Sequence, residues 1–305
     1  MNNTNRIGFE KANLPELTKH YTVVDMHFHT HYSDGFSTVE EIANRVRELG
    51  IGIAITDHND IRGAVEIHKD TGILSIPGIE ITSKEGAHLL IYFYDIESLE
   101  RFYENAVRPY MGNSVMSSLS LKMEEVIERG RAFKSIIIFP HPYCVAYTGI
   151  CNTLFSKERL RRLFDMVDGV EVINSQNLNK WNLRCAVLGF NLDKTITGGS
   201  DGHRLRHIGK VVSYAFCENN REAFLDAVKN KQNKVIGKEI DMLRKITSNS
   251  FKLKANIKNY PDIVEKNFKY SYTVINSKSK KLRDNIKRSI NGKIENNRKR
   301  RDISF

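Results

Sequence analysis

The sequence predicts a parallel α/β barrel, on three observations. Short runs of β-branched and aromatic residues alternate with helical patterns as far as about residue 240. Eight such runs occur, enough to close a barrel. Five of them end in His, Asp or Glu, and in parallel α/β barrels the C-terminal strand ends line the active-site mouth.

In chain order, the strand candidates are YTVVDMHF (21–28), IGIAIT (51–56), ILSIPGIEIT (73–82), HLLIYFY (88–94), SIIIFP (135–140), GVEVIN (169–174), TITGG (195–199) and KVVSYAF (210–216). Between the first two lies the clearest helix, STVEEIANRVRELG. Ser37 reads as its N-cap, Glu40 as the capping-box partner and Gly50 as the terminator; Val39, Ile42, Ala43, Val46 and Leu49 share one face. Further helices are expected near 60–69, 97–106, 117–130, 156–165, 177–188 and 219–230. Residues 100–134 form the longest interval between strands, read as a small helical cap over the mouth. The organisation expected is an N-terminal extension (1–20), a barrel domain (21–240) and a basic C-terminal extension (241–305) with helical character.

Composition narrows the class. At 305 residues with 40% apolar side chains, the chain can bury a sizeable core without a disulfide or metal staple, so collagen-like, disulfide-scaffold and wholly disordered classes are excluded. Cys144, Cys151, Cys185 and Cys217 are scattered singles, as expected of reduced thiols. With no apolar leader and no run long enough to span a bilayer, the protein reads as cytoplasmic, without a membrane span. The net charge of +11 is local: residues 1–250 carry 31 basic and 31 acidic side chains, and the last 55 carry 16 and 5. There Leu282, Ile286, Ile290 and Ile294 recur every four residues among Lys and Arg, giving a basic amphipathic pattern with Gly292 as its weak point. Residues 251–305 read as a solvated helix or tail, or as a contact for nucleic acid or an anionic surface.

The strand ends carry the chemistry. In DMHFHTHYSDG (25–35), His27 and His29 are two apart, a spacing that points both imidazoles to one face of a strand. TDHN (56–59), PGIE (77–80), His88, FPHP (139–142) and GGSDGH (198–203) follow, and Asp201 and His203 repeat the spacing. Such convergence is what a multinuclear site needs. Imidazoles and carboxylates without thiolates suit Zn, Mn or Fe.

These motifs, in this order over residues 20–240, resemble the polymerase and histidinol phosphatase (PHP) family. The resemblance implies a distorted seven-stranded (β/α) barrel with a small insertion, holding two or three divalent metal ions. It implies His27, His29, Glu80 and Asp201 at a first ion, Glu80 bridging to a second completed by His141 and His88, and Asp34, His58 and His203 at a third. Many relatives have His where this chain has Asp34. Asp57 is expected to orient a neighbouring imidazole. His31, His20, His68 and His207 gain no support from it.

A water shared by two ions would ionise near neutral pH, and a third ion would take a phosphate oxygen. The activity expected is therefore metal-dependent phosphoesterase, with Glu80, Asp201 and His203 at the reaction centre. The substrate would be a nucleotide, a short oligonucleotide cut as by an exonuclease, or a small phosphorylated metabolite. Arg184, Arg204 and Arg206 are candidate phosphate contacts. Two alternatives stand beside this: a histidinol-phosphate-type phosphatase, and a non-catalytic metal-binding scaffold whose basic tail recruits a nucleic-acid partner.

Overall fold

Every apolar run singled out in the sequence becomes a strand in the computed structural model, which describes residues 6–144, 148–151 and 155–240. The strands are β1 (Ile7–Gly8), β2 (Thr22–Phe28), β3 (Gly52–Ile55), β4 (Ser75–Thr82), β5 (His88–Phe93), β6 (Ser135–Phe139), β7 (Gly169–Asn174), β8 (Thr195–Gly199), β9 (Val211–Ala215) and β10 (Lys234–Gly237). The helices are α1 (Leu14–Leu17), α2 (Val39–Leu49), α3 (Arg62–His68), α4 (Ile96–Phe102), α5 (Met123–Arg131), α6 (Lys157–Met166), α7 (Asn179–Leu192) and α8 (Arg221–Lys229). The basic C-terminal extension, with the contact expected of 251–305, lies outside the described residues. None of the described helices is long and apolar enough to cross a membrane.

The strands form one sheet in the order β1-β10-β9-β2-β3-β4-β5-β6-β7-β8. Ten strands replace the seven that the resemblance implied: β2 to β8 are seven neighbours in a row, and β9, β10 and β1 extend the sheet past β2. The all-parallel expectation also needs correction. β5 is antiparallel to β4 and β6, and β9 is antiparallel to β2 and β10. Only residues 83–87 separate β4 from β5, too few for the crossover that a parallel pair requires. The hairpin that results brings the start of β5 to the same end of the sheet as the finish of β4, with Thr82 opposite His88.

The sheet curls until β8 meets β2 and β9, and polar groups make that seam. Ser213 Oγ accepts from Gly198 N–H (2.9 Å) and donates to Gly198 O (3.1 Å), while Asp25 Oδ1 accepts from Ser200 N–H at 2.8 Å. Inside the curl, Val24, Met26, Ala54, Ile76, Leu90, Tyr92, Ile136 and Ile138 pack with Phe224, Leu225 and Val228 of α8, filling the end away from the strand C-termini. A larger apolar layer lies between the sheet's other face and the surrounding helices. The end left for polar side chains is the mouth.

Among the boundaries that differ from expectation, two have plain local reasons. The cap of α2 is Thr38 with Glu41, one residue later than Ser37 and Glu40: Thr38 Oγ1 accepts from Glu41 N–H, and the Glu41 carboxylate accepts from Thr38 N–H. α5 begins at Met123 and not at 117, because residues 119–121 hydrogen-bond to the rim instead, Leu119 N–H to Thr82 O (2.8 Å) and Lys84 N–H to Leu121 O (2.7 Å).

Candidate metal centre

The nine side chains expected as ligands come from the ends of β2, β3, β4, β6 and β8, from the loop after β2, and from the start of the reversed β5. The structure brings all nine together. Four overlapping groups have ligand atoms within 4.8 Å of one another: His27, His29 and Asp201; His29, Asp34 and His203; His29, His58 and Glu80; and Glu80, His88 and His141. His29 belongs to three of them, more central than the assignment by resemblance had it.

A register shift in β2 between Asp25 and Phe28 spans His27, the first of the paired histidines. His27 Nε2 and His29 Nε2 end 3.2 Å apart. The His29 ring then stacks between those of His58 (4.6 Å) and His203 (4.7 Å). Glu80 is the hub. Its Oε2 lies 3.4 Å from His27 Nε2, 3.4 Å from His29 Nε2 and 3.1 Å from His58 Nδ1, and its Oε1 lies 2.9 Å from His88 Nδ1 and 3.3 Å from His141 Nε2. On the far side His203 Nε2 meets Asp34 Oδ2 at 2.9 Å.

Burial and charge oppose each other here. Burial resists ionisation of Glu80, but His88, His58 and His27 outweigh it and hold the carboxyl well below the ordinary carboxylate range. Asp201 is lowered in the same way against burial, by His27, His29 and His203. His58 is pushed down to about 3, chiefly by burial, despite its neighbour Glu80. The donor set suits cations: six imidazoles and three carboxylates with no lysine or arginine among them. His29 Nδ1 and His58 Nδ1 are buried and make no hydrogen bond with any described residue, as expected of nitrogens that a metal ion would engage.

The backbone also bends to this purpose. Asn59, His141 and Asp201, each just past a strand end, have φ of 47°, 31° and 48°, in the left-handed region that side chains other than glycine rarely adopt.

Two side chains that support the site, Glu171 and Asp25, were not singled out from sequence, and a third, His207, was named there and set aside. Glu171, buried on β7, accepts from the backbone N–H of His141 (2.9 Å) and from Asn174 Nδ2 (2.9 Å), and lies 3.0 Å from His27 Nδ1. It thereby fixes the His27 tautomer whose Nε2 faces the mouth. The only signal in the sequence is an acid in the otherwise uncharged GVEVIN. Asp25 accepts from the N–H groups of Ser200 (2.8 Å) and Gly209 (3.0 Å), pinning both sides of the loop that carries Asp201 and His203; burial pushes its carboxyl up to about 6. His207 takes the His203 N–H on its Nδ1 at 3.4 Å.

Asp57 departs from its expected part. Its carboxylate accepts from Thr30 N–H (2.7 Å), Thr30 Oγ1 (2.7 Å) and Ser33 Oγ (2.6 Å), so it holds the loop after β2 and hydrogen-bonds to no imidazole among the described residues. Of the arginines, Arg184 lies over the rings of Tyr143 (4.3 Å) and Trp181 (5.2 Å), and Arg204 over Phe36 (4.4 Å). Arg206 projects from the turn after His203 to the surface.

Glu171→Gln offers His27 an amide that can present N–H where an acceptor is needed. We expect metal affinity or turnover to fall by about 10- to 100-fold with the fold retained. Metal titration of the variant checks this, and wild-type affinity would show that Glu171 does not set the His27 tautomer.

An α/β barrel with buried imidazoles and carboxylates gathered at its mouth defines a metal-dependent class of barrel protein. The family model of the PHP domain matches residues 25–297, and the chain belongs to that family. An uncharacterized protein of Methanocaldococcus jannaschii is 30% identical over 167 residues, 50% of this chain and 81% of that one. Among solved structures, the lesion-specific endonuclease PfuEndoQ from Pyrococcus furiosus superposes with a TM-score of 0.58 at 19% identity, over 70% of this chain and 57% of that one. A two-domain protein from Bacteroides vulgatus, described as containing a predicted PHP-like metal-dependent phosphoesterase, gives 0.52 at 17% identity over 81% and 74%.

Proposed function

We propose that the protein hydrolyses a phosphate ester of a nucleotide or short oligonucleotide at a trinuclear metal site. One observation carries this reading: Glu80 sits with one oxygen among His27, His29 and His58 and the other between His88 and His141. His27, His29, Glu80 and Asp201 would hold one ion, Glu80, His88 and His141 a second, and Asp34, His58 and His203 a third. Ions held there supply Lewis acidity, polarising phosphoryl oxygens and acidifying water.

The chain's own groups keep that arrangement ready. Glu80 and Asp201 remain ionised because surrounding imidazoles offset the cost of their burial. Burial disfavours the imidazolium form of His58, and the neutral imidazole is the form that would ligate a cation. Glu171 holds His27, and Asp25 fixes the ends of the loop that presents Asp201 and His203. Arg204, next to His203, would meet phosphate oxygens that the ligands leave free. A phosphate suits this mouth because an anion with several oxygens can be shared by several cations. The endonuclease among the structural neighbours favours nucleotide-derived esters over other metabolites.

The test is elemental analysis of Zn, Mn and Fe per chain, with turnover measured on phosphomonoesters, nucleotides and short 5′-phosphorylated oligonucleotides. Two or three ions, and hydrolysis that a chelator abolishes, are expected. A fully metallated protein that cleaves none of these esters would overturn the reading.

A further inference from the structure

Beside the mouth, four exposed cations gather around one concave strip. Lys11 follows β1, Arg206 and Lys210 belong to the turn after His203, and Lys238 follows β10; Lys11, Arg206 and Lys210 line two adjoining hollows that together form a trough, and Lys238 lines one of them. Backbone bonds hold the segments together, with Lys210 N–H donating to His207 O (3.0 Å) and Lys238 N–H to Lys210 O (3.3 Å). Among the described residues, no ion pair engages any of the four. The trough's remaining charged residues are Arg45, which pairs with Glu48 at 2.8 Å, and Glu239. Over residues 1–250 basic and acidic side chains are equal in number, so this concentration is a local departure from balance. Like charges held in a concavity repel one another and raise the local concentration of anions.

The trough is joined to the metal centre by the segment 201–210. Asp201 and His203 begin it, His207 receives the His203 N–H, and Arg206 and Lys210 end in the trough. At the same rim stands Phe36, 50% exposed, whose N–H donates to His203 O at 2.9 Å and whose ring is covered on one face by Arg204. An exposed aromatic at the metal centre, linked through His203 and the segment 201–210 to a basic groove, supplies the two elements that single-stranded nucleic acid uses, bases stacking while phosphates follow the cations.

We propose that this trough is a second phosphate subsite, which holds the backbone of a single-stranded oligonucleotide while its terminal ester occupies the metal centre. The proposal rests on the phosphoesterase reading for the centre, but the trough can be tested without it. The experiment uses the full chain, wild type and the triple variant Lys11→Ser/Lys210→Ser/Lys238→Ser. Binding of a fluorescent 5′-phosphorylated single-stranded 10-mer is followed by anisotropy in chelator, so that no hydrolysis is needed for a readout. The variant should bind at least about tenfold more weakly near 0.1 M salt, and the slope of log K against log salt should become shallower by about 2, given roughly 0.7 per phosphate contact on a single strand. Metal-loaded variant and wild type should hydrolyse a simple phosphomonoester alike.

Equal affinity and equal salt slope in the two proteins would overturn the subsite. Competition by a nucleoside triphosphate as effective as the unlabelled 10-mer would overturn the strand and reassign the trough to a compact oligophosphate. Normal 10-mer binding by a wild type that hydrolyses nothing would instead count against the phosphoesterase reading alone.

Discussion

Glu80→Gln should lower turnover by about 10³ or more and leave each chain short of at least one metal ion, while far-ultraviolet circular dichroism stays that of the wild type. The expectation follows from the crowding around one carboxylate. Both Glu80 oxygens face imidazole nitrogens, three on one side and two on the other, and among the described residues no other carboxylate is grouped with both sets. A glutamine keeps the shape but has one oxygen and one NH₂, so on one side it would present donors where a cation is to be held. The fold should survive, because the apolar layers below and around the mouth do not include this side chain. Elemental analysis and a turnover assay on one sample decide it. Near-normal turnover with full metal content would remove Glu80 from the centre.

Gly199→Ala should destabilise the whole domain by about 3 kcal/mol, at the upper end of what one inserted methyl costs in a packed site. A Cβ there would lie 2.4 Å from His27 Cβ and 2.5 Å from His27 N. Those atoms belong to a strand backbone and the root of its side chain, so no flexible tip can swing aside. β8 would have to retreat from β2, loosening the bond from Ser200 to Asp25 and the pairing of Phe28 with Gly202. His27 and Asp201 would separate with them. The melting temperature should fall by about 10 °C for a domain of this size, and an unchanged melting curve would show that the seam gives more easily than this geometry implies.

Much of this was legible in the sequence because the signals are short-range. The apolar runs that become β2 to β9 announce themselves by β-branched composition. The ligands announce themselves as polar residues at the ends of those runs. What was not legible depends on partners far along the chain. Glu171 reads as one odd residue in a strand until His27, 144 positions away, is placed against it. The reversal of β5 follows from a loop length that was visible but outweighed by the general alternation. Asp57 sits beside His58 in sequence, yet its carboxylate turns to Thr30 and Ser33, where three donors converge on it.

The left-handed residues at the rim set stability and activity at odds. At Asn59, His141 and Asp201 glycine would adopt the same φ without the side-chain penalty, about 1 kcal/mol at each position. Selection for thermal robustness alone would therefore drift toward glycine at these three places, and at two of them would erase a ligand. That a histidine and an aspartate occupy such torsions means this chain gives up some stability for where those side chains point, and a stabilisation of this protein by glycine substitution should leave all three alone.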